Sequence, residues 1–182
     1  MVFAHNDDGL IVDRNIEKPC YRIGCTGHID LSRIADFDME KTKAELRAYF
    51  AEISARYKIV LYCGLADGAD MLFAEQAANC GGDIVAVLPC SADEFKAEHA
   101  DGGAQLMRFI NSAAKVVVAP DSEQRYVGVS KYIISHSAEL VALWDGRELP
   151  LTDENGKPIN RGGTYDTILS AKNVGITVKI FN

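Results

Sequence analysis

The sequence holds one tryptophan, five prolines and four histidines in 182 residues, and several diagnostic patterns are missing from it. GxGxxG is absent, which excludes an ordinary dinucleotide oxidoreductase, and the absence of GxxxxGK[ST] excludes a P-loop NTPase. Tyr126 and Lys131 are five apart and miss the YxxxK spacing of short-chain dehydrogenases. The cysteines (Cys20, Cys25, Cys63, Cys80, Cys90) are odd in number and form no CxxC pair. They read as reduced, mostly structural thiols rather than a disulfide framework. No second histidine or cysteine stands at a ligand spacing from His28, so neither a metal site nor a cofactor is expected. Positive charge is short as well: 19 Lys and Arg against 26 Asp and Glu leave a formal charge of -7. That balance argues against broad nucleic-acid binding, which needs a basic face. It leaves open a small phosphorylated ligand held by main-chain amides. No apolar run is long enough to span a membrane, and MVFAHNDDGL lacks a basic-then-apolar signal pattern, so a cytoplasmic location is expected.

What is present is a regular alternation. Short apolar runs rich in Val and Ile occur at YRIGC (21–25), KIVLYC (58–63), DIVAVLP (83–89), KVVVAP (115–120), ELVALW (139–144) and ITVKIF (176–181). Nearly continuous apolar strands are those covered on both faces. Between them, helical periodicity predicts helices at about 39–56, 67–79, 103–113, 126–137 and 164–173. In the first of these, Leu46, Phe50 and Ile53 share a face. The length suits one domain. The alternation predicts a single-domain, Rossmann-like α/β fold: a doubly wound, mainly parallel sheet of about six strands flanked by helices. Residues 1–18 read as an irregular segment before a domain at 19–182. The stretch 146–163, with its NGK and KP steps, reads as a long loop of the functional or mobile kind.

In such sheets, ligands bind beyond the carboxyl ends of the strands. The first strand ends in Gly24, Thr26, Gly27 and His28, and the second in GLADGAD, with Gly64, Asp67 and Gly68. The third and fourth are followed by Pro89-Cys90-Ser91 and Pro120-Asp121-Ser122. The fifth ends in Trp144-Asp145-Gly146, and Gly162-Gly163-Thr164 opens the last helix. Asp67 reads as an N-cap, and a strand, a glycine turn and a helix N-terminus together form a common anion site. Each feature also has a plain structural reading. Thr26 could merely cap a helix, His28 could be a solvated loop residue, and Trp144 could be core. Several glycine-bearing ends on one sheet edge are nonetheless hard to assign to turns alone, and they point to a ligand cleft.

Taken together, RIGCTGH (22–28), LYCGLADGADMLFAEQA (61–77), VAVLP (85–89), SAELVALWDG (137–146) and GGTYDTI (162–168) resemble the SMF/LOG-like (SLOG) Rossmann superfamily. The resemblance covers nearly all of the chain after residue 18. It is nearest to the nucleotide-sensing and uncharacterised branches, and extends to the DNA-processing SMF (DprA-type) proteins and the LOG-type phosphoribohydrolases, also called lysine decarboxylases. It implies a nucleotide or ribose-phosphate ligand bound by Gly24, Thr26, Gly27, His28, Gly64, Asp67, Gly68, Trp144, Asp145, Gly162, Gly163 and Thr164. In the phosphoribohydrolases the last glycine loop is PGGxGTxxE, whose Glu serves N-glycosidic hydrolysis with an upstream Arg. Here Gly163-Thr164 match the GT, while the Glu position falls on Thr167. Asp166 is one residue short of it, so on a helix it points about 100° away. The Arg has only loose counterparts in Arg125 and Lys131.

The sequence therefore favours a nucleotide-binding or sensing domain. An N-glycosidase acting on nucleoside monophosphates, with Asp166 or Asp145 replacing the Glu, is the first alternative. A non-catalytic assembly module is the second. Relatives of this kind self-associate, and YVGVSKYIISHS (126–137), with Val127, Tyr132 and Ile134, reads as a candidate face for a homodimer or higher homo-oligomer.

Overall fold

The computed structural model describes residues 3–5, 11–13, 18–98, 103–120, 125–148, 154–156 and 163–182. Within the N-terminal segment expected to be irregular, β1 (Phe3–His5) pairs antiparallel with β2 (Ile11–Asp13). The main chain of elements then runs β3 (Cys20–Gly27), α1 (Met39–Arg56), β4 (Lys58–Cys63), α2 (Ala69–Asn79), β5 (Asp83–Leu88), α3 (Ala92–Glu98) and α4 (Gly103–Ser112). It continues through β6 (Lys115–Val118), α5 (Arg125–His136), β7 (Glu139–Leu143), α6 (Thr164–Asn173) and β8 (Thr177–Phe181).

The six main strands form one all-parallel sheet in the order β6-β5-β4-β3-β7-β8. Two cores cover its faces. On one side Leu46 and Phe50 of α1, Phe73 of α2 and Phe109 of α4 pack with Ile23, Leu61 and Ala86. On the other, Val129 and Ile133 of α5 and Ile168 of α6 pack with Val87, Leu140 and Ala142. This is the expected doubly wound α/β fold. Only the outermost strands depart from a fully covered pattern: Val116 and Val118 of β6 are exposed because an edge strand has neighbours on one side.

Local signals account for the element ends. Asp38 caps α1, its carboxylate accepting the N–H groups of Glu40 and Lys41 at 3.0 Å each. The end of β4 differs from expectation. Asp67 does not cap α2; the capping position is Gly68, with φ 75° and no side-chain cap bond. A Cβ there would lie 2.1 Å from the Ile29 carbonyl oxygen and 2.6 Å from that of His28. Gly68 is therefore needed for backbone shape and for the close crossing of the loops after β3 and β4. Gly68→Ala is expected to lower stability by more than about 3 kcal/mol, combining left-handed strain with a backbone clash. Urea unfolding checks this, and a midpoint equal to the parent's would contradict it.

The strand order reverses between β3 and β7: successive strands run outward from β3 to β6, and then β7 returns to the other side of β3. That switch point opens a crevice at the carboxyl ends of two neighbouring strands. Thr26 and Gly27 end one of them, and Trp144 and Asp145 follow the other.

Candidate functional site

At the switch point lies a cleft of about 560 Å³. Its wall is built from the ends of β3 and β7, the loop after β4, the inner face of α5 and the first turn of α6. Thr26, Gly27, His28, Gly64, Asp67, Trp144, Asp145, Gly163 and Thr164 all line it, as does Asp166.

His28 is buried rather than solvated. Its N–H donates to the Leu143 carbonyl at 3.2 Å, which ties the end of β3 to β7. Its Nε2 lies 3.2 Å from the Asp145 N–H and 3.2 Å from Asp145 Oδ1. One nitrogen cannot serve both partners in one protonation state. Neutral at Nε2, the ring accepts the backbone N–H; protonated, it donates to the carboxylate. The Asp145 side chain is only 3% exposed. Burial pushes its carboxyl up, but the Arg147 N–H at 3.0 Å, His28 and Arg33 outweigh that and hold it below the usual carboxylate range. Its Oδ2 has no hydrogen-bond partner among the described residues, with the Arg33 and Arg147 guanidiniums each 3.8 Å away. Sequence reasoning did not single out Arg33, which meets Asp145 across the switch point, or Arg147, which meets it within the same loop.

The first turn of α6 faces the cleft through Gly163, Thr164, Tyr165, Asp166 and Thr167. Gly163 is the N-cap residue with φ -71° and ψ 173°, an ordinary extended backbone, and it makes no side-chain cap bond. The N–H groups of Thr164 and Tyr165 have no acceptor within the helix, as at any helix start. Tyr165 stacks on Trp144 with ring centroids 6.0 Å apart and planes 26° apart. Trp144 is thus both core and cleft wall. Thr167 sits where the resemblance would place a glutamate. Its hydroxyl donates to the Gly163 carbonyl and meets Ser130 of α5, each at 2.9 Å. A paired hydroxyl occupies that spot, and no carboxylate does.

The loop after β4 differs from the anion site its sequence suggests. Asp70, in the first turn of α2, folds its own carboxylate back onto the loop, where Oδ2 accepts the Ala66 N–H at 3.3 Å. The amides that a phosphate would use are engaged by an internal carboxylate. Burial pushes the Asp70 carboxyl up to about 7, against the opposing pull of the Ala66 and Gly64 amides. Next to it are two buried thiols. Cys25 Sγ lies 3.6 Å from the Tyr62 carbonyl and 4.0 Å from Asp70 Oδ1. Cys63 Sγ lies 3.5 Å from the Asp70 carbonyl and accepts the Leu65 N–H at 3.3 Å.

Two groups among the described residues bring three donor atoms within 4.8 Å of one another: Cys25, Cys63 and Asp70, and Cys90, Glu94 and Glu98. In the first group, burial pushes both thiols up. In the second, Arg125 occupies both glutamates, at 3.0 Å from Glu94 and 2.8 Å from Glu98.

No family model matches the chain, and no curated protein matches it. Solved structures do. DNA processing protein A (DprA) from Streptococcus pneumoniae superposes with a TM-score of 0.59 over 88% of this chain and 50% of its own, at 14% identity. The corresponding protein from Helicobacter pylori, described for its single-stranded DNA binding mode, gives 0.56 at 13% identity, covering 88% and 64%. The structural-genomics protein TM1055 gives 0.52 at 14% identity, covering 87% and 72%. This chain has the Rossmann-like fold of the DNA processing proteins. It spans between half and two thirds of their length. The likeness to SMF-type proteins read from the loop residues holds at the level of fold. Single-stranded DNA binding is described for the Helicobacter pylori protein. The acidic composition argues only against a broad basic face.

Three expected site residues are not in the cleft wall. Gly24 lies beneath α5, where a Cβ would come within 2.6 Å of Ile133 and 2.7 Å of Ser137 Oγ, so it is a packing glycine. Gly68 serves the loop crossing described above. Arg125, a candidate partner for hydrolysis, is held outside by Glu94 and Glu98. Gly162, Asp121, Ser122 and most of the 146–163 loop lie outside the described residues. Of the residues read as an association face, Val127 and Ile134 are buried, Ile134 within the core under α5, and Tyr132 is half-buried against that core. Asp70 and Ser130 line the cleft without having been expected there.

Proposed function

We propose that the cleft binds a nucleotide or a ribose-phosphate derivative, with the phosphate on the first-turn amides of α6. The observation that carries this reading is the α6 N-terminus, free of a side-chain cap and opening on a cleft whose wall includes a stacked Trp144–Tyr165 pair. Helix N-termini favour anions through their amides and dipole. The described lining holds five carboxylates (Asp30, Asp67, Asp70, Asp145, Asp166) against two guanidiniums, Arg33 and Arg147. The lining is net acidic, and Asp166 belongs to the first turn of α6 itself, so a phosphate there is held by the α6 amides and helix dipole and not by charge on the wall. The rings supply an apolar surface for a base. A volume of about 560 Å³ falls within the range of small-molecule sites.

Trp144 is the sole tryptophan, so its fluorescence reports the cleft directly. AMP, GMP, ADP-ribose and ribose 5-phosphate, offered near a millimolar, are expected to shift that emission for at least one ligand and to raise the melting temperature. The rise follows from mass action, about 2.7 kcal/mol at a hundredfold excess over Kd. No response from the whole panel would contradict the reading.

One observation favours a second reading. Asp70 and Asp166 both line the cleft, and a carboxyl titrating near 7 suits general acid–base work on an N-glycosidic bond. The same incubations decide it: free base in the supernatant supports the glycosidase, and binding without release supports a sensor.

A further inference from the structure

We infer that the floor of the cleft receives a hydrogen-bond-donating, uncharged part of the ligand, a sugar hydroxyl or a base amino group, on Asp70 Oδ1. This rests on the nucleotide reading above and fixes the direction in which the ligand lies.

The two oxygens of Asp70 are unequally served. Oδ2 accepts the Ala66 N–H at 3.3 Å. The Gly64 amide also faces the carboxyl, and the contact resolved at Oδ1 is the Cys25 thiol at 4.0 Å, a weak donor at long range. Asp70, buried as a residue and lining the cleft, has capacity left for one good donor. Gly64 leaves space beside the carboxyl on its Oδ2 side: a Cβ at that position would lie 3.0 Å from Asp70 Oδ2 and 3.5 Å from Val129 of α5. Two neighbours of the carboxyl are apolar or neutral: Val129 of α5, beside Gly64, and the thiol of Cys25 from β3. A phosphate is excluded here by the carboxyl itself. With its phosphate at α6, a nucleotide therefore turns a neutral donor toward Asp70.

The groups facing Asp70 leave it as the one that titrates. Cys25 of β3 and Cys63 of β4 are both pushed up by burial and stay neutral through neutral pH. Asp67 precedes it on the loop, and α5 contributes Val129. A ligand donor bonds the carboxylate more strongly than the protonated acid, which offers only a neutral carbonyl acceptor, so binding should strengthen as pH rises through the region near 7 where Asp70 ionises.

The test compares AMP affinity for the parent and for Asp70→Asn by calorimetry, from about pH 5.5 to 8.5. A phosphate ester also titrates in this window, equally in both proteins, so the quantity read is the ratio of the two affinities. The ratio is expected to grow about tenfold in favour of the parent toward high pH, the size of one charge-assisted hydrogen bond. Inorganic phosphate should bind both proteins alike. A flat ratio with phosphate still bound overturns the Asp70 assignment and leaves the nucleotide reading standing. A ratio that falls with pH overturns it too, since Asp70 would then act as donor. Failure of both AMP and phosphate to bind overturns both readings. Should Asp70→Asn not fold, the parent decides alone. 2′-Deoxy-AMP, 3′-deoxy-AMP and purine riboside 5′-monophosphate each lack one donor, and one of them must bind more weakly than AMP with a shallower pH rise. Identical pH profiles for all four ligands refute the inference.

Discussion

Gly163→Val is expected to weaken AMP binding by about two to three orders of magnitude while leaving the melting temperature of the free protein unchanged. The reasoning starts from backbone shape. At φ -71° and ψ 173°, the position accepts any residue, and a Cβ built there meets nothing within 4 Å. The fold therefore has no need of glycine at this point. A branched side chain instead fills the space in front of the α6 amides. If these amides give a phosphate two or three charge-assisted hydrogen bonds, losing them costs roughly 2–4 kcal/mol, which sets the expected loss of affinity. Thr164→Ala should be milder, since it removes a hydroxyl and keeps the amides. Calorimetric titration and a thermal melt on both variants separate the outcomes. Unchanged affinity in Gly163→Val places the phosphate elsewhere.

Asp70→Asn is expected to stabilise the free protein at about pH 8 by roughly 2–4 kcal/mol and to change it little at about pH 4. Asp70 has an ordinary value of 3.8 and a folded value of about 7, because burial penalises its charge. Between those limits the folded state keeps a proton that the unfolded chain has released, so stability falls as pH rises through the window. Above it the folded protein carries the whole penalty, about 4 kcal/mol at 1.36 per unit. Asparagine removes the charge and can still accept the Ala66 N–H through its amide oxygen. Melting the two proteins at both pH values checks the sign: their difference should open toward high pH, and a constant difference would contradict the account. Together with the ligand experiment, this makes Asp70 a residue whose ionisation destabilises the empty protein and strengthens the bound one.

How far the sequence was readable depended on the range of the interactions involved. Continuous apolar runs and 3.6-residue periodicity act locally. They located β4 at Lys58–Cys63, α1 at Met39–Arg56 and α6 at Thr164–Asn173. The short α3 escaped because one buried residue, Phe95, makes no periodic stripe. Asp67 looked like a cap because Asp commonly is one. The crossing of the two loops, visible only in three dimensions, gave the place to Gly68. His28 and Asp145 were each legible as strand-end residues, but they are 117 positions apart, and the strand order alone makes them partners. Asp70 was hidden inside a helical run, where an acidic residue in the first turn reads as a dipole partner. Its weight comes from burial, which no local pattern announces. The general location of the site followed from topology, because any residue ending a strand at the switch point must face the crevice.

The most direct test of the central claim is a crystal structure of the protein with AMP bound. The account predicts the phosphate within hydrogen-bond distance of the Thr164 and Tyr165 amides, with a ribose hydroxyl or the base amino group on Asp70 Oδ1. A phosphate bound instead at the N-terminus of α2, or a nucleotide bound anywhere outside the cleft between β3 and β7, would contradict it.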